Sequence, residues 1–201
     1  MHHLEGDNVV KPKELYATAM EDELNNWLAK FDSLEALFAS RHQLHARLTK
    51  QQLDGSIEDH SLIIGPVHVS STSRVLAGAI VRGPAIIGPD VTIHHGAKVL
   101  DGSFIGAGSS VGPGAVVSQS ILMNGSVISE NCVIQNAVVG AGVFIGAGAL
   151  VGEAQSKGGA GAFVGDNANL RAGSIVLMGA VIAKDSDIFT GPVVRTSDER
   201  R

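Results

Sequence analysis

Aliphatic side chains recur at every sixth position along most of the chain. The first series contains only isoleucine and valine: Ile57, Ile63, Val69, Val75, Val81, Ile87, Ile93, Val99, Ile105, Val111 and Val117. After a slip of two residues, a second series runs through Ile121, Val127, Val133, Val139, Ile145 and Val151. After a break at 153–162, a third series runs through Val164, Leu170, Val176, Ile182, Ile188 and Val194. A fixed period of this kind is typical of a stacked-repeat architecture.

Each hexad is predicted to be a short strand followed by a turn. The fourth residue after the aliphatic is usually small or β-branched, as at Ser73 and Ala97, and glycine often follows the aliphatic directly. Three hexads make one triangular coil, so the series predict roughly seven to eight coils with the aliphatics inside. We expect the glycines to supply turn angles that a Cβ forbids. An α-helix does not fit, because a period of six scatters the aliphatics around its axis. A right-handed β-helix remains the alternative on periodicity alone.

The N-terminal part has a helical pattern instead. We divide the chain into a disordered leader (1–12), an α-helical arm (13–52), a β-helix (53–195) and a C-terminal tail (196–201). Two helices are predicted within 13–50, separated at Asp32 and Ser33. The apolar face of the first contains Met20, Leu24, Trp27, Leu28 and Phe31, and that of the second contains Leu34, Leu37, Phe38, Leu44 and Leu48. We expect these faces to pack against the end of the β-helix or a neighbouring subunit, with no role beyond packing.

Composition and charge exclude several classes of function. Hydrophobic residues make up 44% of the chain and aromatic residues only 4%, which fits a core of small and branched side chains. The net charge of −5, without a basic run, disfavours nucleic-acid binding. One cysteine excludes an intrachain disulfide, no apolar run has the length of a membrane helix, and no signal peptide is evident. We therefore expect a cytoplasmic protein with no membrane partner.

Candidate chemistry lies in the turns, because the interior of such a prism is closed and apolar. Counting hexads places one polar ladder along a single edge: Glu58, His60, His94, His95, Glu130 and Asn131. A neutral imidazole of His94 or His95 can act as general base for an amine or hydroxyl that attacks a thioester. Glu130 is a further catalytic candidate, and Asn131, Asn136 and Asp101 are the predicted substrate-binding residues. The alternative is a set of ordinary solvated turns.

The segment 153–162 interrupts the hexads and is predicted to be a loop that covers a cleft. Its Lys157, Gly158 and Gly159 are candidates for contacting the phosphates or pantetheine of acetyl-CoA or another acyl-CoA. A solvated excursion with no ligand is the alternative reading of this loop.

A metal site is not predicted. The stretch VTIHHGAKVLDGS (91–103) resembles hexapeptide-repeat carbonic anhydrases, which hold zinc with histidines from adjacent turns. Where that resemblance implies a second histidine, this chain has Leu100, followed by Asp101. The ligand set is incomplete.

A broader resemblance covers most of the chain. The stretches that carry it are FDSLEALF, GSIEDHSLIIGPVHV, AIVRGPAIIGPDVTI, SQSILMNGSVI and GAFVGDNANLRAGSIVLMGAVI. They resemble the C-terminal acetyltransferase half of archaeal-type bifunctional sugar-1-phosphate nucleotidylyltransferase/acetyltransferases. The resemblance implies an all-β fold, a left-handed parallel β-helix of hexapeptide repeats with an N-terminal α-helical arm. It also implies a homotrimer and acetyl transfer from CoA to a small-molecule substrate.

The resemblance fails at the positions that matter for acetyl transfer. The stretch ISENCVIQNAVVG (128–140) stands where the family has its acetyl-transfer motif. The family histidine falls on Glu130, the asparagine and tyrosine on Cys132 and Val133, and a preceding lysine on Ser118. The Gly-rich loop of nucleotidyl transfer is also not in the sequence, so nucleotide-sugar synthesis is not expected.

Two functions therefore remain open. One is a CoA-dependent acyltransferase for a sugar or related metabolite, with an altered catalytic site. The other is a non-catalytic trimeric scaffold or regulatory partner of a sugar nucleotidyltransferase.

Overall fold

The computed structural model describes residues 51–153, 161–189 and 192–193. Four predictions lie outside these residues: the leader, nearly all of the α-helical arm, the loop residues Lys157, Gly158 and Gly159, and the C-terminal tail. In the described ranges there is no α-helix, and so none with the length and apolar character needed to cross a membrane.

The described chain winds as a left-handed parallel β-helix of about seven turns, as predicted. Its strands form three parallel sheets, here called A, B and C. Sheet A contains β1 Gln52–Leu53, β4 Val67–Val69, β7 Ala85–Ile87, β10 Ser103–Ile105, β13 Ile121–Leu122, β16 Ala137–Val139, β19 Ala162–Val164 and β22 Val181–Ile182. Sheet B contains β2 Ser56–Ile57, β5 Arg74–Val75, β8 Thr92–Ile93, β11 Ser110–Val111, β14 Val127–Ile128, β17 Phe144–Ile145, β20 Asn169–Leu170 and β23 Asp187–Ile188. Sheet C contains β3 Leu62–Ile64, β6 Ile80–Arg82, β9 Lys98–Leu100, β12 Val116–Ser118, β15 Val133–Gln135, β18 Leu150–Glu153, β21 Ile175–Leu177 and β24 Pro192–Val193.

One inward aliphatic from each strand builds the core. On sheet B, for example, Val75 pairs with Ile93 and Ile93 pairs with Val111, and all three are fully buried. Each pair joins residues one coil apart, so every inward side chain packs on its counterparts above and below. This stacking explains why the sequence demands an aliphatic at each sixth position.

The second aliphatic series was assigned the wrong frame in its first half. The residues that pair with the inward Val111 and Val117 are Ile128 and Ile134, not Val127 and Val133. Ile128 is buried, whereas Val127 faces outward and is 40% exposed. The chain loses one residue in each of two successive turns from sheet C to sheet A, rather than two residues at once.

Most of the glycines that follow inward aliphatics are required by close approach rather than by turn angles. Gly152, with a φ of +76°, does have the expected left-handed turn angle. Gly112 has no left-handed φ, and a Cβ on it would lie 2.7 Å from the carbonyl oxygen of Ile128 in the next coil. The left-handed turn positions are two residues further on, as at Gly114 with φ +67°. Any side chain at Gly112 would push two coils apart.

Interior serines replace some of the small residues and are satisfied by neighbouring coils. The hydroxyl of Ser109 donates to the carbonyl of Met123 at 3.1 Å and accepts the N–H of Ser126 at 3.2 Å. Because a buried polar group costs stability only when it has no partner, these serines fit an otherwise apolar core.

The adjacent pair Val127 and Ile128 tests the observed frame. Ile128→Ala removes an inward side chain and should lower the free energy of unfolding by about 2–5 kcal/mol. Val127→Ala should cost no more than about 1 kcal/mol, because that side chain is outward and partly solvated. Urea denaturation of both variants at one protein concentration measures the difference. A larger loss for Val127→Ala would reject this register.

Candidate functional site

The turns from sheet B to sheet C form one edge of the prism, here called the BC edge. Its turns are 58–60, 76–78, 94–96, 112–114, 129–131, 146–148 and 171–173. The structure places all members of the predicted polar ladder on this edge: Glu58, His60, His94, His95, Glu130 and Asn131.

His95 is held by the turn one coil below it. Its Nδ1 lies 3.3 Å from the carbonyl oxygen of Ala77, and the N–H of Ala77 donates to Oε2 of Glu58 at 3.0 Å. A carbonyl oxygen can only accept, so the contact fits an imidazole whose Nδ1 carries the hydrogen. In the neutral ring, Nε2 is then the proton acceptor, and the ring itself is exposed to solvent.

His94 has a different setting. Its backbone N–H donates to the carbonyl of Val111 at 2.9 Å, and its carbonyl accepts from Ala97 at 3.1 Å. The residue is half-buried, and its ring has no hydrogen bond among those that the structure gives for the described residues. Of the two predicted bases, His95 is therefore the one whose ring orientation is fixed.

The structure does not bring Glu130 to the histidines. Two coils separate the two turns, about 10 Å along the prism axis. The turn between them contains only Gly112, Pro113 and Gly114. Between His95 and Glu130 the BC edge therefore has a turn without any titratable side chain, and Glu130 does not orient either imidazole.

Asn131 has a structural reason to be asparagine. Its φ is +55°. Its side-chain Oδ1 packs over Gly114 of the preceding coil, so that a Cβ added to Gly114 would lie only 2.6 Å from this oxygen. His60 adopts a similar left-handed φ of +67° in the first turn of the edge. Asparagine tolerates this conformation better than most residues, so the turn by itself explains Asn131 without a ligand.

The other predicted substrate-binding residues lie on a different edge. The turns from sheet C to sheet A form the CA edge, and Asp101 and Asn136 are part of it. Asn136 occupies a left-handed turn position with φ +48°. Strands β18 and β19, which end at Glu153 and begin at Ala162, are also connected at this edge. Within one chain, sheet C therefore separates Asp101 and Asn136 from the histidines.

Asp101 already has a partner that sequence reasoning missed. Nε of Arg82 donates to both carboxylate oxygens at 2.9 and 3.1 Å, and Nη2 lies 2.8 Å from Oδ2. Both side chains are about half exposed, so the pair contributes little to stability. The length of one coil could have revealed this pair. Val81 pairs with Val99 one coil away, which places Arg82 beside Leu100 and next to Asp101.

A second ion pair, between Arg171 and Asp187, lies at the C-terminal end of the BC edge. Arg171 donates to Asp187 at 3.1 and 2.7 Å, and its guanidinium lies 4.2 Å from the ring centroid of Phe189. The hydrogen bond from Arg171 lowers the pKa of the Asp187 carboxyl below its usual range. Sequence reasoning did not single out these residues, because each is an ordinary polar turn or strand residue in the repeat.

Cys132 is fully buried. Burial raises the pKa of its thiol, and its Sγ lies 3.1 Å from the carbonyl oxygen of Gly146. A buried, protonated thiol is a poor nucleophile. Nowhere in 51–153, 161–189 and 192–193 do three or more His, Cys, Asp or Glu side chains gather as a metal site requires.

Comparison with known proteins gives one family and several distant structures. The model of the family described as "GMPPB C-terminal domain" matches residues 81–196, more than half of the chain. A search of the curated proteins found no match.

Three of the similar solved structures illustrate the range. A hexapeptide transferase family protein from Anaplasma phagocytophilum is 20% identical, with a TM-score of 0.35 over 71% of this chain and 88% of that protein. WeeI from Acinetobacter baumannii AYE is 18% identical, with a TM-score of 0.43 over 69% and 62%. GDP-perosamine N-acetyl transferase from Caulobacter crescentus, in complex with CoA and GDP-perosamine, is 22% identical, with a TM-score of 0.35 over 64% and 51%. This chain thus spans about three fifths of WeeI and half of the perosamine enzyme.

The burial of Cys132 predicts a thiol that does not react in the folded protein. With the disulfide reagent DTNB at neutral pH, the native chain should release almost no thiolate, and one equivalent should appear in urea. Val127→Cys is the matched control, because position 127 is exposed and its added thiol should react at once in the native protein. Rapid native reaction of the unmodified chain would contradict the burial of Cys132.

Proposed function

The chain belongs to the GMPPB C-terminal domain family, and we propose that it is a CoA-dependent acyltransferase acting on a sugar or related small metabolite. The acceptor group would be an amine or hydroxyl, and the cosubstrate acetyl-CoA or another acyl-CoA, with no metal. The observation that carries this proposal is the oriented imidazole of His95, whose Nδ1 is engaged by Ala77.

His95 supplies the base in the proposed reaction. Its Nε2 takes the proton from the acceptor amine or hydroxyl as that group attacks the thioester carbonyl. A new C–N or C–O bond forms, the C–S bond breaks, and the imidazolium returns the proton to the leaving CoA thiolate. The carbonyl of Ala77 accepts from Nδ1 and stabilises the charged ring. Glu58 holds the same turn in place by accepting from the N–H of Ala77, which belongs to the preceding peptide group.

The active assembly we propose is a homotrimer with sheet C at the subunit contact. The outward position before the inward aliphatic of each strand is aliphatic in this sheet, except for Lys98 and the last residue, Pro192: Leu62, Ile80, Lys98, Val116, Val133, Leu150, Ile175 and Pro192. Leu62 is half exposed, and the other aliphatic residues of this row are partly exposed. The corresponding row of sheet B is polar or charged at six of its eight positions, as solvent exposure requires. A long partly exposed apolar stripe favours association.

Such a trimer would unite the two halves of the candidate site. Sheet C lies between the BC and CA edges, so packing three copies of it around one axis sets the BC edge of one subunit against the CA edge of the next. His95 would then face Asp101 and Asn136 of the neighbouring subunit across a cleft. The acyl-CoA would lie along that cleft, where Lys157, Gly158 and Gly159 remain the predicted contacts for its phosphates or pantetheine.

A second function is favoured by one specific observation. Glu130 stands at the position of the family's acetyl-transfer histidine, and it is two coils from His95 rather than paired with it. The position that the resemblance assigns to the base is therefore occupied by a carboxylate. This supports a non-catalytic trimeric scaffold or regulatory partner of a sugar nucleotidyltransferase as the alternative.

Ligand binding and turnover distinguish these two functions. If the chain uses acetyl-CoA, ligand at 100 times its dissociation constant should stabilise the folded protein by about 2.7 kcal/mol in a thermal melt. CoA release with a panel of amino and hydroxy sugars, free and nucleotide-linked, is then followed with a thiol reagent. His95→Ala should lower kcat by about 10²–10⁴-fold, whereas His60→Asn on the same edge should leave it unchanged. No thermal shift at millimolar acetyl-CoA, with no CoA release, would favour the scaffold.

The subunit contact is tested separately by mass. The unmodified chain should sediment at three times its 20.7 kDa mass. Val116→Glu places a charge at the centre of the sheet C stripe and should give single chains. Thr92→Glu, on the outward row of sheet B, should leave the trimer intact. A monomeric unmodified chain at tens of micromolar, or dissociation by Thr92→Glu alone, would refute the proposed interface.

A further inference from the structure

The outward row of sheet A is buried, although it points away from the core. Its middle six residues are each at most 4% exposed: His68, Ile86, Phe104, Ile121, Val138 and Phe163. Outward residues of the other sheets behave differently, since Phe144 on sheet B is 44% exposed and Leu62 on sheet C is 50% exposed. Stacking within a row therefore does not hide an outward side chain, and sheet A must be covered from outside.

The cover has to come from the parts of the chain beyond the described ranges. These are 1–50, 154–160, 190–191 and 194–201. The segment 154–160 reads AQSKGGA and the segment 194–201 reads VRTSDERR, so neither has the large apolar side chains that a row with two phenylalanines needs. Only 1–50 has them, in the two apolar faces that the sequence predicts.

The point of entry agrees with this assignment. Residues 1–50 lead directly into β1 at Gln52, and β1 is the first strand of sheet A. The row from His68 to Phe163 spans five coil spacings, about 24 Å. A helix rises 1.5 Å per residue, so about 16 helical residues cover that length, close to the length of the first predicted helix.

We propose that residues 13–50 dock lengthwise on the outer face of sheet A of their own chain, with the face containing Leu24, Trp27 and Phe31 against Phe104 and its neighbours. The site differs from the two surfaces expected from the sequence, the end of the β-helix and a neighbouring subunit. It closes one apolar face of the prism and leaves sheet C as the stripe available to a second copy. It does not depend on acyl transfer.

Trp27 makes the docking directly measurable, because it is the only tryptophan in the chain. In the full-length protein its emission should be blue-shifted and its acrylamide quenching several-fold weaker than in urea. Phe104→Glu should restore a red-shifted emission and strong quenching. Phe144→Glu is the matched control, an outward phenylalanine on sheet B, and should change neither. The milder Phe104→Ala is measured in parallel, so that a Phe104→Glu protein that fails to fold leaves the comparison intact.

Two outcomes would overturn the proposal. One is quenching of native Trp27 as strong as in urea while far-UV circular dichroism shows the β-helix intact. The other is a folded Phe104→Ala protein whose Trp27 is as protected as in the unmodified chain. Dilution tests whether the cover comes from the same chain. Protection of Trp27 that persists when the protein is monomeric by mass supports docking within one chain. Protection that is lost on dissociation would also overturn the proposal and would assign the cover to a second copy.

Discussion

Stacking of like aliphatic side chains at the spacing of adjacent parallel strands is the constraint on which this structure depends. Each inward residue has one counterpart above and one below, and a misfit at any level is transmitted to both neighbours. Isoleucine and valine satisfy the constraint because their branched side chains are stiff and fill a narrow interior without voids. Because the interior must be continuous and dry, all chemistry is displaced to the turns, and its position along the axis is set by the coil count.

This constraint explains which features the sequence could predict. The period of six is strong enough to give the fold, the approximate number of coils and the shared edge of His95 and Glu130. It could not choose between Val127 and Ile128, because both are aliphatic and only the register of the next coil decides. The role of Gly112 was misjudged for a related reason, since close approach of two coils is a property of the stack and not of the local sequence.

The candidate site was predictable to the level of its edges and not beyond. Counting hexads brings polar turns together, but the group that orients His95 is a backbone carbonyl of Ala77, which no side-chain pattern can reveal. The pairing of Arg82 with Asp101 was accessible from the coil length, had residues one coil apart been compared. The separation of Asp101 from His95 follows from their lying on opposite borders of sheet C, and for this reason the site that we propose draws on two subunits.

The edges of the prism also differ in how much the number of residues in their turns varies. The CA edge has two turns shortened by one residue, at Gln119 and Asn136, followed one coil later by the long excursion after Glu153. The core on both sides of the two shortened turns keeps its register, whereas the pairing of β18 with β21 shifts between Val151 and Glu153, just before the inserted segment. The entropy of closing a loop grows slowly with its length, so this edge tolerates insertion and deletion at small cost to the stack. Altered spacing in the turns 76–78 or 94–96 of the BC edge, by contrast, would break the contact of His95 with Ala77. The CA edge is thus suited to diversification by length, whereas the histidine turn of the BC edge can diversify only by residue type.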